Sequence, residues 1–106
     1  MPTVPAAWHH FESCESTNDE AQRLGRGGAL SGTVVTATTQ TRGRGRLGRS
    51  WYAADGDNLF LSLLLRPALV PAQAPLLTLC AGVALYDVAH AVLASRGATE
   101  TGLCLK

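Results

Sequence analysis

Residues 33–51 read Thr33-Val34-Val35-Thr36-Ala37-Thr38-Thr39-Gln40-Thr41-Arg42-Gly43-Arg44-Gly45-Arg46-Leu47-Gly48-Arg49-Ser50-Trp51. The first eight are rich in Thr and Val and predict a strand over Thr33–Gln40. A period of two puts Val34, Thr36, Thr38 and Gln40 on one face and Val35, Ala37 and Thr39 on the other. At Thr41 the composition changes. Arg42, Arg44, Arg46 and Arg49 place four of the nine basic residues within a short window, and Gly43, Gly45 and Gly48 loosen the backbone between them. Glycine lets a main chain approach a ligand closely, and arginine offers planar, bidentate recognition of carboxylate or phosphate. A strand feeding such a loop suits a flexible strap that closes on a small polyanion.

Upstream, Trp8–Phe11 is a short candidate strand and Thr17–Arg26 a helix. Thr17 and Glu20 have capping-box spacing, and Asp19 and Glu20 favour the positive helix start. Ala21 and Leu24 form its apolar face, and Gly25, Gly27 and Gly28 end it. Downstream, Thr41–Asn58 is a long loop closing in the turn cluster Ala54-Asp55-Gly56-Asp57-Asn58. Leu59–Arg66 is a nearly continuous apolar run, predicted as a strand buried on both faces. Pro71 and Pro75 lead into a long helix, Leu76–Ser95, ended by Gly97. Leu103–Lys106 reads as the start of another strand. The order strand, helix, strand, strand, helix, strand predicts an α+β fold in one incomplete domain, without internal repeat or linker.

At 106 residues the chain has the size of one small domain. Its 46% hydrophobic content excludes disorder, and a net charge of +1 gives no global field toward nucleic acid or membrane. Cys14, Cys80 and Cys104 are an odd number without metal spacing, which argues against a disulfide framework and fits a reducing, cytoplasmic compartment. All three are read as small core residues. Met1–Ala7 lacks the features of a secretory signal. Leu76–Ala94 is about long enough to span a bilayer but carries Asp87 and His90, so it is read as a buried helix with one polar patch. His9 and His10 are adjacent and would point to opposite faces of a strand, which makes a metal site there unexpected.

Rival readings of the loop are weaker on physical grounds. Gly43-x-Gly45-x-x-Gly48 matches a dinucleotide fingerprint, but that motif needs a helix immediately after it, and Ser50–Asn58 leads into a turn. Disordered Arg–Gly segments that bind RNA run longer and are not pinned between apolar strands. A loop without a ligand would crowd four like charges for no return.

The loop resembles the biotin-binding loop of biotin protein ligases, whose pattern G-R-G-R-x-G-R-x-W is met by Gly43–Trp51 at every fixed position. Ser16-Thr17-Asn18 matches the family's Ser-Thr-Asn triplet, and Gln40 its glutamine just before the loop. Lys106 matches by position the lysine that opens a later K-W-P-N-D motif. The resemblance covers essentially the whole chain. It implies the mixed sheet flanked by helices that biotin ligases share with class II aminoacyl-tRNA synthetases. On this reading residues 1–106 are the N-terminal portion of a truncated catalytic domain, with no separate DNA-binding domain, since only seven residues precede Trp8.

The implied reaction has two steps. Biotin and ATP give biotinyl-5′-AMP and diphosphate, and a lysine of a biotin carboxyl carrier protein or domain then attacks the mixed anhydride. Carboxylate and triphosphate repel one another, so both must be neutralised and aligned. By resemblance Arg44, Arg46 and Lys106 are catalytic, with Mg²⁺ sharing the charge. Ser16, Thr17, Asn18, Gln40, Arg44, Gly45, Arg46 and Lys106 would contact biotin or its adenylate, and Trp51 would wall the ligand or the loop. A lipoate–protein ligase, with the same adenylation chemistry, and an Arg/Gly-loop nucleic-acid-binding module are the alternatives. No membrane or DNA partner is expected.

Overall fold

The computed structural model describes residues 5–50, 58–98 and 102–104, and of Arg46 the backbone only. The chain divides into two compact units, Met1–Pro67 and Ala68–Lys106.

The first unit is a three-stranded mixed sheet with one helix. Strands β1 (Ala7–Cys14), β2 (Thr33–Gln40) and β3 (Phe60–Leu64) lie in the order β1-β2-β3. β1 runs parallel to β2, with Trp8 opposite Val34 and Cys14 opposite Gln40. β3 runs antiparallel to β2, with Ser62 opposite Val35 and Phe60 opposite Ala37. Helix α1 (Thr17–Arg26) is the crossover between the parallel strands and contacts β2 and β3. The α+β class and the mixed sheet are as expected. The bounds of α1 and β2 match the sequence reading, whereas β1 extends past Phe11 to Cys14 because pairing with β2 continues to Gln40.

The small core lies between α1 and the sheet, where Ala21, Val35 and Ala37 are buried. Thr33 and Ser62 are buried on the same sheet face by register. On the opposite face Thr36 is covered by its neighbours. Trp8 Nε1 donates to Thr36 Oγ1 (2.8 Å), and His10 Nδ1 lies 2.8 Å from the same oxygen. His10 is thus engaged within the sheet, and the described residues contain no metal-binding group of three His, Cys, Asp or Glu.

Several expectations are corrected. β3 is not buried on both faces, since Leu61 and Leu63 are 50% and 42% exposed. Only its α1-facing side is covered by described residues. The expected capping box from Thr17 to Glu20 is not formed: Ser16 is the N-cap, in extended conformation and without a side-chain cap bond, and Thr17 is already helical. Glu20 pairs with Arg23 instead, through two bonds of 2.9 and 2.7 Å. The cysteines are not core residues: Cys14 is half-buried, and Cys80 and Cys104 are exposed.

In the second unit a 3-10 turn (Pro71–Gln73) leads into helix α2 (Ala74–Ser95), and Gly97 follows it with φ +83°. No residue of α2 is buried. The expected covered helix is therefore not observed, because the turn and the few residues after it in its own unit are too small to cover a helix apolar on all sides. By length and composition Pro71–Ser95 could cross a membrane. Tyr86 stacks on His90, ring centroids 6.0 Å apart, one turn along. Residues 102–104 form no strand, and Leu105 and Lys106 lie outside the described residues.

Candidate active site

The site forms where β1, α1, β2 and the Arg–Gly loop meet. β1 and β2 are parallel, so their C-terminal ends lie side by side, and the chain leaves β1 directly into α1. Ser16 is 4% exposed and serves as N-cap, its carbonyl accepting from Glu20 N–H at 3.1 Å. It is buried at the start of the helix and, unlike Thr17 and Asn18, does not line the cavity that those two residues share.

Thr17 connects three elements. Its backbone N–H donates to Gln40 Oε1 at 2.8 Å, and its hydroxyl lies 3.1 Å from the same atom and 2.8 Å from Ser62 Oγ. The helix-start N–H has no intrahelical acceptor, so the glutamine oxygen fills that need. Because a backbone N–H only donates, the atom facing it must be the amide oxygen. The amino group of Gln40 therefore faces away from Thr17. Ser62 Oγ also bonds Asn18 Oδ1. Thr17, Asn18, Gln40, Arg44, Phe60 and Ser62 line an open cavity of about 370 Å³.

The loop is tied down at its entry and pinched at its neck. Thr41 N–H donates to Cys14 O (2.9 Å) and Arg42 N–H to Glu15 O (2.7 Å), continuing the β1–β2 ladder past the strand ends. Gly45 N–H donates to Arg49 O at 2.6 Å, and Arg44 and Ser50 form an isolated antiparallel bridge. The turn between them places Leu47 at φ 61°, a left-handed conformation uncommon for a non-glycine residue, with its side chain 91% exposed. Gly48 takes φ 72° at no steric cost. Arg44 pairs with Asp19 of α1. It lines both the first cavity and a second of about 610 Å³ that includes Glu15, Asp19, Arg42 and Ser50.

Of the residues singled out in the sequence, Thr17, Asn18, Gln40 and Arg44 share one cavity. Gly45 forms the neck of the loop. The side chain of Arg46, together with Trp51, most of the 54–58 turn cluster and Lys106, lies outside the described residues. Two contributors were not anticipated. Ser62 is the single polar residue in Leu59–Leu65, which singles it out in the sequence without saying what it faces, and Asp19 reads from the sequence only as a favourable charge at the helix start. The thiol of Cys14, beside this junction, is pushed up by burial and by the nearby Glu20 and Asp19 carboxylates, with a backbone bond from Ser16 opposing the shift.

The model of the biotin/lipoate A/B protein ligase family matches residues 10–104. The chain belongs to that family. The biotin–[acetyl-CoA-carboxylase] ligase of Mycobacterium tuberculosis is 42% identical over 90 residues, 83% of this chain and 34% of that protein. The bifunctional ligase/repressor BirA of Bacillus spizizenii is 43% identical over 72 residues, 68% of this chain and 22% of that protein. The crystal structure of the Leishmania major biotin protein ligase in complex with biotinyl-5-AMP superimposes with a TM-score of 0.67 at 32% identity, covering 93% of this chain and 40% of that one. The chain thus spans between about a fifth and two fifths of the length of these family members. Its sheet and α1 resemble part of a biotin ligase catalytic domain.

Proposed function

We propose that the full-length protein is a biotin protein ligase, making biotinyl-5′-AMP and diphosphate from biotin and ATP and passing biotin to a lysine of a carrier protein of a biotin-dependent carboxylase. The observation that carries this reading is the convergence of Thr17, Asn18, Gln40 and Arg44 on one cavity beneath an Arg–Gly loop. The amide of Gln40 turns its amino group away from Thr17, as a donor for a neutral carbonyl such as that of a cyclic urea. Arg44, at the loop neck, is placed to draw in an anion. The biotinyl-5-AMP named for the Leishmania structure and the name of the Mycobacterium tuberculosis ligase support the same substrates.

The chemistry asked of these residues is electrostatic. Biotin's carboxylate must approach the α-phosphorus of ATP, displacing diphosphate, and no protein nucleophile is needed because the acyl group passes through AMP. Arg44 and Arg46 neutralise the two anions, and Lys106 stabilises the charge that develops between them. One charge-assisted hydrogen bond is worth ~1.5–3 kcal/mol, so losing one lowers rate or affinity roughly tenfold to a hundredfold. No three-ligand metal group occurs among the described residues. Mg²⁺ would arrive bound to the triphosphate and share its charge. Three free thiols fit a cytoplasmic setting.

The test is diphosphate release by the full-length protein given ATP with biotin or with lipoate. Release with biotin alone is the expected result. Release with lipoate alone moves the protein to the other branch of its family, and release with neither ends the proposal.

A further inference from the structure

Ser62 is 7% exposed and lies at the floor of the first cavity, on a strand whose other residues are apolar. Its Oγ meets two partners, Thr17 Oγ1 at 2.8 Å and Asn18 Oδ1. Each hydroxyl has one proton to give, so the direction of the chain can be counted. Asn18 Oδ1 only accepts, so the bond to it uses the Ser62 proton; the 2.8 Å contact between the two hydroxyls then needs the proton of Thr17, which stands nearer to Ser62 than to Gln40 (3.1 Å). The Thr17 hydroxyl therefore donates to Ser62, and the Ser62 proton is left for Asn18 Oδ1.

We infer that Ser62 is a positioning residue that acts through Asn18: it holds the side-chain oxygen of Asn18 against β3 and turns the Asn18 amino group into the cavity. Gln40 is fixed in the same sense by the Thr17 N–H. Two amide amino groups then face the ligand from two elements, and the wall is built to donate. Such a wall selects a neutral ligand head with a strong carbonyl acceptor, of which a urea is the best example, and rejects an apolar ring that would leave both amides unpaired. This inference deepens the biotin reading and rests on it for the identity of the ligand. The orientation of Asn18 does not depend on that reading. A chain running the other way, from Ser62 to Thr17, would present the Asn18 carbonyl instead and invert the preference.

The experiment has two arms on the full-length protein. In the unliganded ¹⁵N-labelled protein, the side-chain amide signal of Asn18 is assigned by its loss in Asn18→Ala. Ser62→Ala shifts and broadens that signal, Ser62→Thr, which keeps a hydroxyl, leaves it in place, and the Gln40 signal stays put in both. An Asn18 signal indifferent to Ser62→Ala overturns the inference whether or not biotin binds. In calorimetric titration with biotin and with ATP, Ser62→Ala weakens biotin about tenfold and leaves ATP unchanged. In the Asn18→Ala background the same change costs less than about twofold, because the group it acts through is gone. Losses that simply add overturn the action through Asn18. A responsive Asn18 signal in a protein that binds no biotin refutes the proposed function and leaves the positioning role standing.

Discussion

The backbone N–H of Thr17 donates to the side-chain oxygen of Gln40 across 2.8 Å, closing the junction between the first turn of α1 and the last residue of β2. Gln40→Glu keeps an oxygen for that N–H but replaces the outward amino group with a second carboxylate oxygen. Stability should change little, because the junction survives. Biotin affinity should fall on the order of tenfold to a hundredfold, since a ligand carbonyl then meets an acceptor instead of a donor. Calorimetric titration checks this, and an affinity equal to wild type would refute the orientation of Gln40.

Arg44 is held by Asp19, with side chains 54% and 41% exposed. An ion pair this open contributes at most about 1 kcal/mol, so Asp19→Asn should leave the unfolding free energy nearly unchanged. It also removes a carboxylate that competes with the ligand's anion for the same guanidinium. Biotinyl-AMP should then leave the site more slowly, on the order of threefold. Arg44→Ala should speed its departure whichever residue stands at position 19. Faster release from Asp19→Asn would contradict the competition.

What the sequence made legible was what is written locally. Thr/Val alternation delimits β2, and a glycine stop ends α1, so both could be bounded to the residue. The Arg–Gly pattern marked the loop, and the triplet Ser16-Thr17-Asn18 marked the helix start that faces it. Ser62 could not be placed in the site because its partners lie 44 and 45 residues away and only the fold brings them together. For the same reason the Arg44–Asp19 pair was invisible, since 25 residues separate loop from helix. The exposure of β3 and α2 is not written in the sequence, because an apolar run states that a surface needs covering but not which residues supply the cover. The displaced helix cap is a smaller case. Ser16 and Thr17 both suit an N-cap, and pairing of Thr17 with Gln40 and Ser62 decides between them.

The Cys14 thiol offers a titration test. Burial first, then the Glu20 and Asp19 carboxylates, disfavour its thiolate in the folded state. A raised folded value means that the contribution to stability is complete below the pKa of the unfolded thiol and is lost as pH rises through the folded one, here in the alkaline range above about 9. Alkylation of Cys14 by iodoacetamide, followed by mass spectrometry across that range, should show a midpoint higher in the folded protein than in urea. Glu20→Gln should lower the folded midpoint. Coincident midpoints in folded and unfolded protein would refute the account.

Arg66, two residues beyond β3, closes the other end of α1. Its Nη2 donates to Gly25 O (2.6 Å) and Ala29 O (2.8 Å), its Nε to Ala29 O (3.0 Å), and its backbone N–H to Ser31 Oγ (3.0 Å). A cation there satisfies a carbonyl of the last helical turn and offsets the negative pole of the helix. Arg66→Ala should cost about 1–2 kcal/mol, because an exposed charged donor is partly replaced by water. Arg66→Lys should recover only part of this, since one ammonium lacks the fork that spans both carbonyls. Urea unfolding at constant m-value measures the loss, and biotin titration should show no change, because the residue lies at the end of α1 remote from Thr17. A variant that weakens biotin without loss of stability would place Arg66 in the site rather than in the frame that holds it.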